Sequence, residues 1–117
     1  MVAKFTLKKQ YPNESQILNA VGEYLTLRQH FFFRVNNAPT HQDSPTGGFW
    51  RRPNKYSVAG VPDIIMIDNC GKFIGLEIKA HNGKQSPEQK LFEQNCKELG
   101  AEYYIIRSID DLINIGL

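Results

Sequence analysis

Residues 60–79, GVPDIIMIDNCGKFIGLEIK, contain the pattern from which the rest of the architecture follows. Residues 64–67 are a continuous apolar run, which is typical of a strand covered on both faces. Residues 69–71, Asn-Cys-Gly, then have the composition of a tight turn, because glycine readily adopts a positive φ. Residues 72–79 alternate between two kinds of side chain, as a strand with two different faces does. The stretch therefore predicts a β-hairpin.

This hairpin brings charged side chains together. With a three-residue loop, Asp68 faces Lys72, and the same antiparallel register places Asp63 directly across from Glu77. Directly opposed residues share a face, with Cβ atoms about 5 Å apart. Lys79 falls on that face too, because side chains two positions apart in a strand point the same way. The sequence predicts Asp63, Glu77 and Lys79 at one end of one sheet face.

Such a cluster has two interpretations. Two carboxylates at close range repel each other unless a cation lies between them, and Mg²⁺ binds one or two carboxylates plus waters and phosphate oxygens. A neighbouring lysine can then hold an attacking water or offset charge on a phosphate in the transition state. The alternative is a charged strand end with a surface ion pair, which contributes little. Pro62 before the aspartate and the apolar strands on both sides favour the first interpretation.

The motif Pro62-Asp63 followed by Glu77-Ile78-Lys79 resembles the PD-(D/E)xK nuclease superfamily. More narrowly, the chain resembles the virus-type replication-repair nuclease (VRR-NUC) domain over roughly residues 13 to 111. That resemblance rests on five features in chain order: a helix beginning at Glu14, the strand end Arg34-Val35-Asn36, residues 60–63, residues 71–79, and residues 86–89.

The resemblance implies an α/β fold of the PD-(D/E)xK nuclease type, with a central mixed β-sheet of about four strands flanked by helices. It implies Mg²⁺ or Mn²⁺ as cofactor. The catalytic residues that it implies are Asp63, Glu77, Lys79 and Gln89. The metal ligands that it implies are Glu14, Asp63, Glu77 and the backbone carbonyl of Ile78. Without the resemblance, the helix dipole is enough to explain Glu14, and an exposed amide is the ordinary interpretation of Gln89.

Local signals place the other elements of one predicted domain covering residues 1–117, in which residues 1–12 form a loosely held arm. Asn13 is a predicted N-cap with Gln16 in capping-box position, Ser86 is a second N-cap, and the residues from Ser108 cap a short C-terminal helix. The predicted helices cover 14–28 and 86–99, and the predicted strands cover 31–35, 63–68, 72–79 and 103–107. In the second helix, the predicted buried stripe is Leu91, Phe92, Cys96 and Leu99.

Residues 37–59 are predicted to form a long loop, because they are rich in proline and glycine and show no periodicity. Within them, Phe49-Trp-Arg-Arg-Pro-Asn-Lys-Tyr56 interleaves three cations with three aromatics. Cations contact phosphates and aromatic rings stack on unpaired bases, although a solvated basic loop has the same composition. The predicted DNA-binding residues are Arg51, Arg52 and Lys55, together with Lys84 and Gln85. Gln85 also departs from many relatives, which have an apolar residue there.

Composition excludes few classes of function. The chain is 41% hydrophobic and 22% charged, and its net charge of +2 neither requires nor excludes a nucleic-acid partner. Its two cysteines have no metal-ligand spacing and are predicted to be reduced thiols. The three histidines are too scattered for a ligand set, and His81 is predicted to be a loop histidine rather than a general base. The absence of a long apolar run and of a signal peptide predicts no membrane partner and a cytoplasmic protein.

Taken with the resemblance, these features predict a metal-dependent, structure-selective DNA endonuclease similar to Holliday-junction resolvases. Such enzymes act on branched DNA as homodimers, and strand 31–33 is the candidate interface. The resemblance also implies a phage or prophage gene, and hence a bacterial or phage-infected host cytoplasm. Three alternatives remain: a flap or nicking nuclease, a DNA-binding module on the same fold that does not cleave, and an unrelated α/β protein with a coincidental ion pair.

Overall fold

The structure, a computed structural model, describes residues 8–35, 40–42, 49–51 and 55–117. The helices are α1 (Glu14–Leu27), α2 (Pro87–Glu98) and α3 (Ile109–Asn114). The strands are β1 (Phe31–Arg34), β2 (Thr40–Gln42), β3 (Phe49–Arg51), β4 (Ile64–Ile67), β5 (Phe73–Ile78) and β6 (Glu102–Ile106).

Four of these strands form a mixed sheet in the order β1-β4-β5-β6. The first three pair antiparallel, and β6 pairs parallel to β5. A parallel pair needs a long crossover connection, which α2 provides here. The predicted architecture, an α/β fold with a mixed sheet of about four strands flanked by helices, is confirmed.

The hairpin β4–β5 has the predicted register. Ile67 pairs with Phe73 and Ile64 with Leu76, and the amide of Asp68 donates to the carbonyl of Lys72 at 3.0 Å. The Asp68 carboxylate closes the turn as well, because Oδ1 accepts the amide hydrogens of both Cys70 and Lys72 at 2.8 Å. An aspartate that bonds the backbone ahead of it is a local turn signal, so this register follows from nearby sequence alone.

The main core lies between α1, α3 and one face of the sheet. Ile17, Val21 and Leu25 recur every fourth residue along α1 and are buried, as the helical period requires. They pack on the sheet side chains that point towards α1, which in β4 and β5 are every second residue. The remaining buried members of this cluster are Ile64, Met66, Ile74, Leu76, Ile78, Ile106 and Leu112.

Helix α2 lies on the opposite face of the sheet, along β6. The predicted buried stripe of this helix is wrong at two positions, because Leu91 is 58% and Leu99 is 87% exposed. Cys96 is buried, and the ring of Phe92 packs against that of Tyr103 with centroids 6.2 Å apart. A helix that follows only an edge strand has a narrow contact, so it buries only part of its apolar face.

The predicted N-cap residues are confirmed at all three helices, and the caps of α1 and α2 include a side-chain hydrogen bond. Asn13 and Gln16 form the capping box of α1. Ser108 is the N-cap of α3, but its side chain makes no capping hydrogen bond. Asp111 instead accepts the amide hydrogen of Arg107 at 2.7 Å, one residue before the cap.

The predicted loop 37–59 contains regular structure, which corrects the prediction. Strands β2 and β3 pair antiparallel, with His41 opposite Trp50. Three-residue strands are too short to show a period of two, so sequence periodicity misses them. The rest of residues 36–54 and most of the predicted N-terminal arm lie outside the described residues. In the part of the chain that the structure describes, no helix is long and apolar enough to span a membrane.

Candidate active site

Asp63 is fixed by the strands on both sides of it. It lies immediately before β4, and its carbonyl accepts the amide hydrogen of Val35 at 2.9 Å, which extends the β1–β4 ladder. Its carboxylate Oδ2 accepts the amide hydrogen of Ile78 at 2.7 Å. The side chain therefore points across the end of the sheet towards β5, where the predicted register places Glu77.

Glu77 is only 3% exposed and lies beside Asp63. Burial, and then the negative charge of Asp63, raise the pKa of Glu77 from 4.5 to about 8, although Lys79 acts in the opposite direction. The Lys79 ammonium Nζ is 3.6 Å from Glu77 Oε1, and the lysine is itself 9% exposed. The predicted cluster of two acids and a lysine is therefore present, and it is a buried site rather than a surface ion pair.

Gln89 connects the first turn of α2 to this cluster. Its side-chain Oε1 accepts the backbone amide hydrogen of Ser86 at 2.9 Å. Its backbone amide donates to Ser86 Oγ at 3.2 Å, which completes a capping box. Its Nε2 then donates to Glu77 Oε1 at 3.0 Å. The interpretation of Gln89 as an exposed amide is wrong, because one side chain both caps the helix and orients the carboxylate.

Gly60 belongs to the 60–63 motif of the sequence analysis, which assigns it no role of its own. Its φ is +79°, and a Cβ at this position would overlap the backbone carbonyl of Glu88 and lie 2.7 Å from the amide nitrogen of Gln89. The chain just before Asp63 therefore lies directly on the first turn of α2, which only glycine allows. This contact sets the position of the aspartate segment relative to Gln89.

Tyr103 is likewise given no role at the site by sequence analysis. It is 3% exposed on β6, and its hydroxyl donates to Glu77 Oε2 over a long 3.5 Å. Burial raises the pKa of Tyr103, so the hydroxyl keeps its proton and acts as a donor. Gly75 makes room for this arrangement, since a Cβ there would lie 2.9 Å from Cγ of Pro62 and 3.3 Å from the tyrosine ring.

Glu14 is not brought into this cluster. It is exposed in the first turn of α1. Among the residues that the structure describes, no three His, Cys, Asp or Glu side chains are placed to hold one metal ion. The structure therefore pairs Asp63 with Glu77, and the resemblance alone supports Glu14 as a third ligand.

The two carboxyl groups fit a hard divalent cation. They lie within hydrogen-bond reach of each other, and their repulsion is one of the causes that raise the pKa of Glu77. A cation between them would remove this repulsion, and carboxylate oxygens are the ligands that Mg²⁺ and Mn²⁺ prefer. One or two protein carboxylates with waters and phosphate oxygens are the usual set for Mg²⁺, so the pair suffices.

The predicted DNA-binding residues are dispersed. Lys84 is exposed in the loop before α2, and Lys55 is exposed with Nζ 5.3 Å from the centre of the Tyr56 ring. Gln85 is half-buried, and its amide donates to Glu93 Oε1 at 3.0 Å, so this side chain is occupied within the protein. Arg51 is described only as the last residue of β3, and Arg52 lies outside the described residues.

Comparison with known proteins adds one finding. No family model matches the sequence, and no curated protein matches it. A solved structure described as a VRR_NUC domain matches the chain with a TM-score of 0.63 at 18% sequence identity, over 89% of this chain and 97% of that one. A likeness at this identity establishes the fold. The chain therefore has the fold of a VRR_NUC domain, as the resemblance in its sequence predicts.

Proposed function

We propose that the chain is a metal-dependent DNA endonuclease that hydrolyses phosphodiester bonds. The observation that carries this proposal is the buried Glu77 beside the half-buried Asp63, with the Lys79 ammonium 3.6 Å from the glutamate. An unrelated protein would gain little from placing a buried acid beside a half-buried one, because the buried carboxylate loses hydration and the two negative charges repel each other. The likeness to a VRR_NUC domain supports the same chemistry.

Each residue of the site has a role in this reaction. Asp63, Glu77 and the carbonyl of Ile78 would hold Mg²⁺ or Mn²⁺, which supplies Lewis-acid stabilisation and lowers the pKa of a bound water. The Lys79 ammonium offsets the charge that develops on the phosphate in the transition state. The Gln89 amide holds the Glu77 carboxylate in one orientation through its 3.0 Å hydrogen bond.

We further propose that the enzyme selects branched DNA and acts as a homodimer in the cytoplasm of a bacterium or of a phage-infected host. Two cuts placed symmetrically about a four-way junction need two active sites related by a two-fold axis. Edge strand β1 presents apolar surface suited to such an interface, since Phe31 is 69% and Phe33 is 47% exposed. Major-groove readout of sequence needs side chains delivered to base edges, whereas the composition of residues 37–59 suits contacts with phosphates and stacking on bases better.

The substrate is tested by incubating the protein with a four-way junction, a flap, a single strand and a plain duplex at equal concentration. Each is assayed with Mg²⁺, with Mn²⁺ and with EDTA, and the mass of the protein is measured in solution. We expect cleavage only with a divalent metal, fastest on the junction, by a dimer. A monomer, or a plain duplex cut faster than the junction, refutes the resolvase assignment and leaves a flap or nicking nuclease.

The chemistry is tested by the variants Asp63→Ala, Glu77→Ala and Lys79→Ala. Each should lower the cleavage rate by about 100-fold or more, because each removes transition-state stabilisation of several kcal/mol. Circular dichroism should show an unchanged fold. Lys72→Ala is the matched control, since it also breaks a lysine–glutamate pair on this sheet, the exposed pair with Glu102. Full activity in any of the three site variants contradicts the assignment.

Calorimetry separates the nuclease from a module that only binds DNA. Titration with Mn²⁺ should show binding that Asp63→Ala abolishes, and DNA with the metal should then be cut. Metal and DNA binding without any cleavage product would favour the binding module instead.

A further inference from the structure

Two aromatic rings stack where the chain leaves β5, two residues beyond Lys79. Tyr11 and His81 lie with ring centroids 3.6 Å apart and planes 3° from parallel. Both side chains are exposed, Tyr11 to 47%. The Lys9 ammonium lies 5.2 Å from the centre of the Tyr11 ring, which adds a positive charge to an aromatic surface. The catalytic cluster described above uses none of these three residues.

The stack is held at a fixed place relative to the cluster. The Arg107 guanidinium donates from Nη1 to the carbonyls of Ala80 and His81, at 2.6 and 3.4 Å. The amide of Lys79 donates to the carbonyl of Ile106 at 3.1 Å, so both sides of this short connection are tied to residues at the end of β6 or directly after it. Two residues of chain span at most about 7 Å, which limits the distance from the backbone of Lys79 to that of His81.

A small pocket opens at the stack. Its volume is about 280 Å³, and it is lined by Tyr11, Pro12, Ile17, His81, Arg107 and Ser108. The lining combines an apolar floor with a guanidinium and with a serine hydroxyl that makes no capping hydrogen bond. Such a combination suits a flat, partly apolar ring attached to a sugar and a phosphate.

We propose that the Tyr11–His81 stack and its pocket form a subsite for one unpaired DNA nucleotide next to the scissile phosphate. This proposal rests on the proposed nuclease function and specifies how the site distinguishes branched from plain DNA. Bases in an intact duplex stack on neighbours on both sides, whereas a base pair at a branch point can lose one of these neighbours, so that less energy is needed for one of its bases to unpair and stack on an aromatic side chain. Branch recognition then requires no sequence-specific contact.

A purely structural role would be to fasten residues 8–12 to the body of the protein. An aromatic pair contributes about 0.5–1.5 kcal/mol beyond the area that it buries. For that role the rings should be covered, whereas both remain exposed and the loop that carries His81 is already fixed by Arg107. The exposure of two parallel rings on a loop that Arg107 holds favours a surface that receives another ring.

The test measures binding in EDTA, so that no strand is cut. The probes are a duplex with an unpaired 2-aminopurine nucleotide at a branch and the same duplex fully paired. Wild-type protein should quench the fluorescence of the unpaired base, because stacking on an aromatic ring does so.

Tyr11→Leu and His81→Leu should each weaken binding of the branched probe about 5- to 100-fold, since base–aromatic stacking contributes about 1–3 kcal/mol. Both should leave binding of the paired probe within about twofold.

Tyr11→Trp is the conservative variant, which keeps a stacking ring and should keep the quenching. Leu99→Ala removes an exposed apolar side chain far along the chain from this stack, and it is the control for a general loss of apolar surface. Thermal midpoints of every variant identify any loss of folding, and His81→Leu carries the test if Tyr11→Leu unfolds. Equal losses on both probes, or unchanged binding and quenching in both leucine variants, would refute the subsite.

The outcome is separable from that of the nuclease proposal. A wild-type protein that binds and quenches the unpaired base but cuts no DNA would support the subsite and refute the nuclease. A protein that cuts DNA with Mg²⁺ while both leucine variants bind and quench as wild type does would support the nuclease and refute the subsite.

Discussion

Glu77 links the chemistry of the site to the stability of the protein. Its pKa is raised from 4.5 to about 8 by burial and by Asp63, so the folded protein holds a proton there that the unfolded chain has lost. Stability from this group is complete below pH 4.5 and falls as the pH rises towards 8. A metal-free protein should therefore be less stable at pH 8 than at pH 5.

Glu77→Gln should remove this dependence, because the amide is neutral at every pH. In EDTA, wild type should lose on the order of 3 kcal/mol of unfolding free energy between pH 5 and pH 8, and the variant should lose much less. Urea unfolding at both pH values measures the difference. Glu98→Gln, at an exposed position near the end of α2, should follow wild type. Parallel pH profiles for wild type and Glu77→Gln would mean that Glu77 ionises normally.

At the scale of elements, the contact between the 60–63 segment and α2 assembles the site. Gly60 has a positive φ and no room for a Cβ, whereas Gly71 has a similar φ of +78° and would leave a Cβ with no described atom within 4 Å. The two glycines therefore separate the cost of backbone strain from the cost of the close approach.

Gly71→Ala should destabilise the protein by about 1 kcal/mol, because an alanine is strained at this φ. Gly60→Ala should cost at least about 2 kcal/mol more, since α2 must also move. It should lower cleavage further than stability accounts for, because Gln89 moves away from Glu77. Chemical denaturation and cleavage assays of both variants give the comparison. Equal effects at the two glycines would show that the helix contact is unimportant.

A comparison of the predicted elements with those of the structure shows which features the sequence predicts and which it cannot predict. The register that pairs Asp63 with Glu77 depends on a turn and an alternation within 20 residues, so local patterns predict it. The helix stripe at Leu91 and Leu99 was wrong because a period shows which face is apolar, not how much of it a neighbour covers. Gly60 and Tyr103 reach the site only when α2 and β6 dock, and no local pattern encodes that approach.

For the whole molecule, the distribution of charge matters more than its sum. With 14 basic and 12 acidic residues, the chain has little net attraction for DNA. The DNA affinity that the proposed function requires must then come from local groups of cations, and the predicted group consists of Arg51, Arg52 and Lys55.

Replacing these three residues with alanine should weaken DNA binding and reduce its dependence on salt. Each lost phosphate contact should lower the slope of log K against log salt by about one. Binding isotherms across a range of NaCl concentrations measure this slope. Cleavage at saturating DNA should stay near that of wild type, because the substitutions leave the site intact. An unchanged slope would identify these residues as a solvated surface.

The shared hydrogen bonds of Gln89 have a consequence for local opening. Because one amide side chain holds both the helix cap and Glu77, the first turn of α2 cannot fray without releasing the carboxylate. The backbone amide hydrogens of Ser86 and Gln89 therefore exchange with solvent at a rate that depends on whether Glu77 keeps its hydrogen bond to Gln89. Any ligand that immobilises Glu77 should protect these two amides, so isotope exchange at the start of a helix reports on the occupancy of the site.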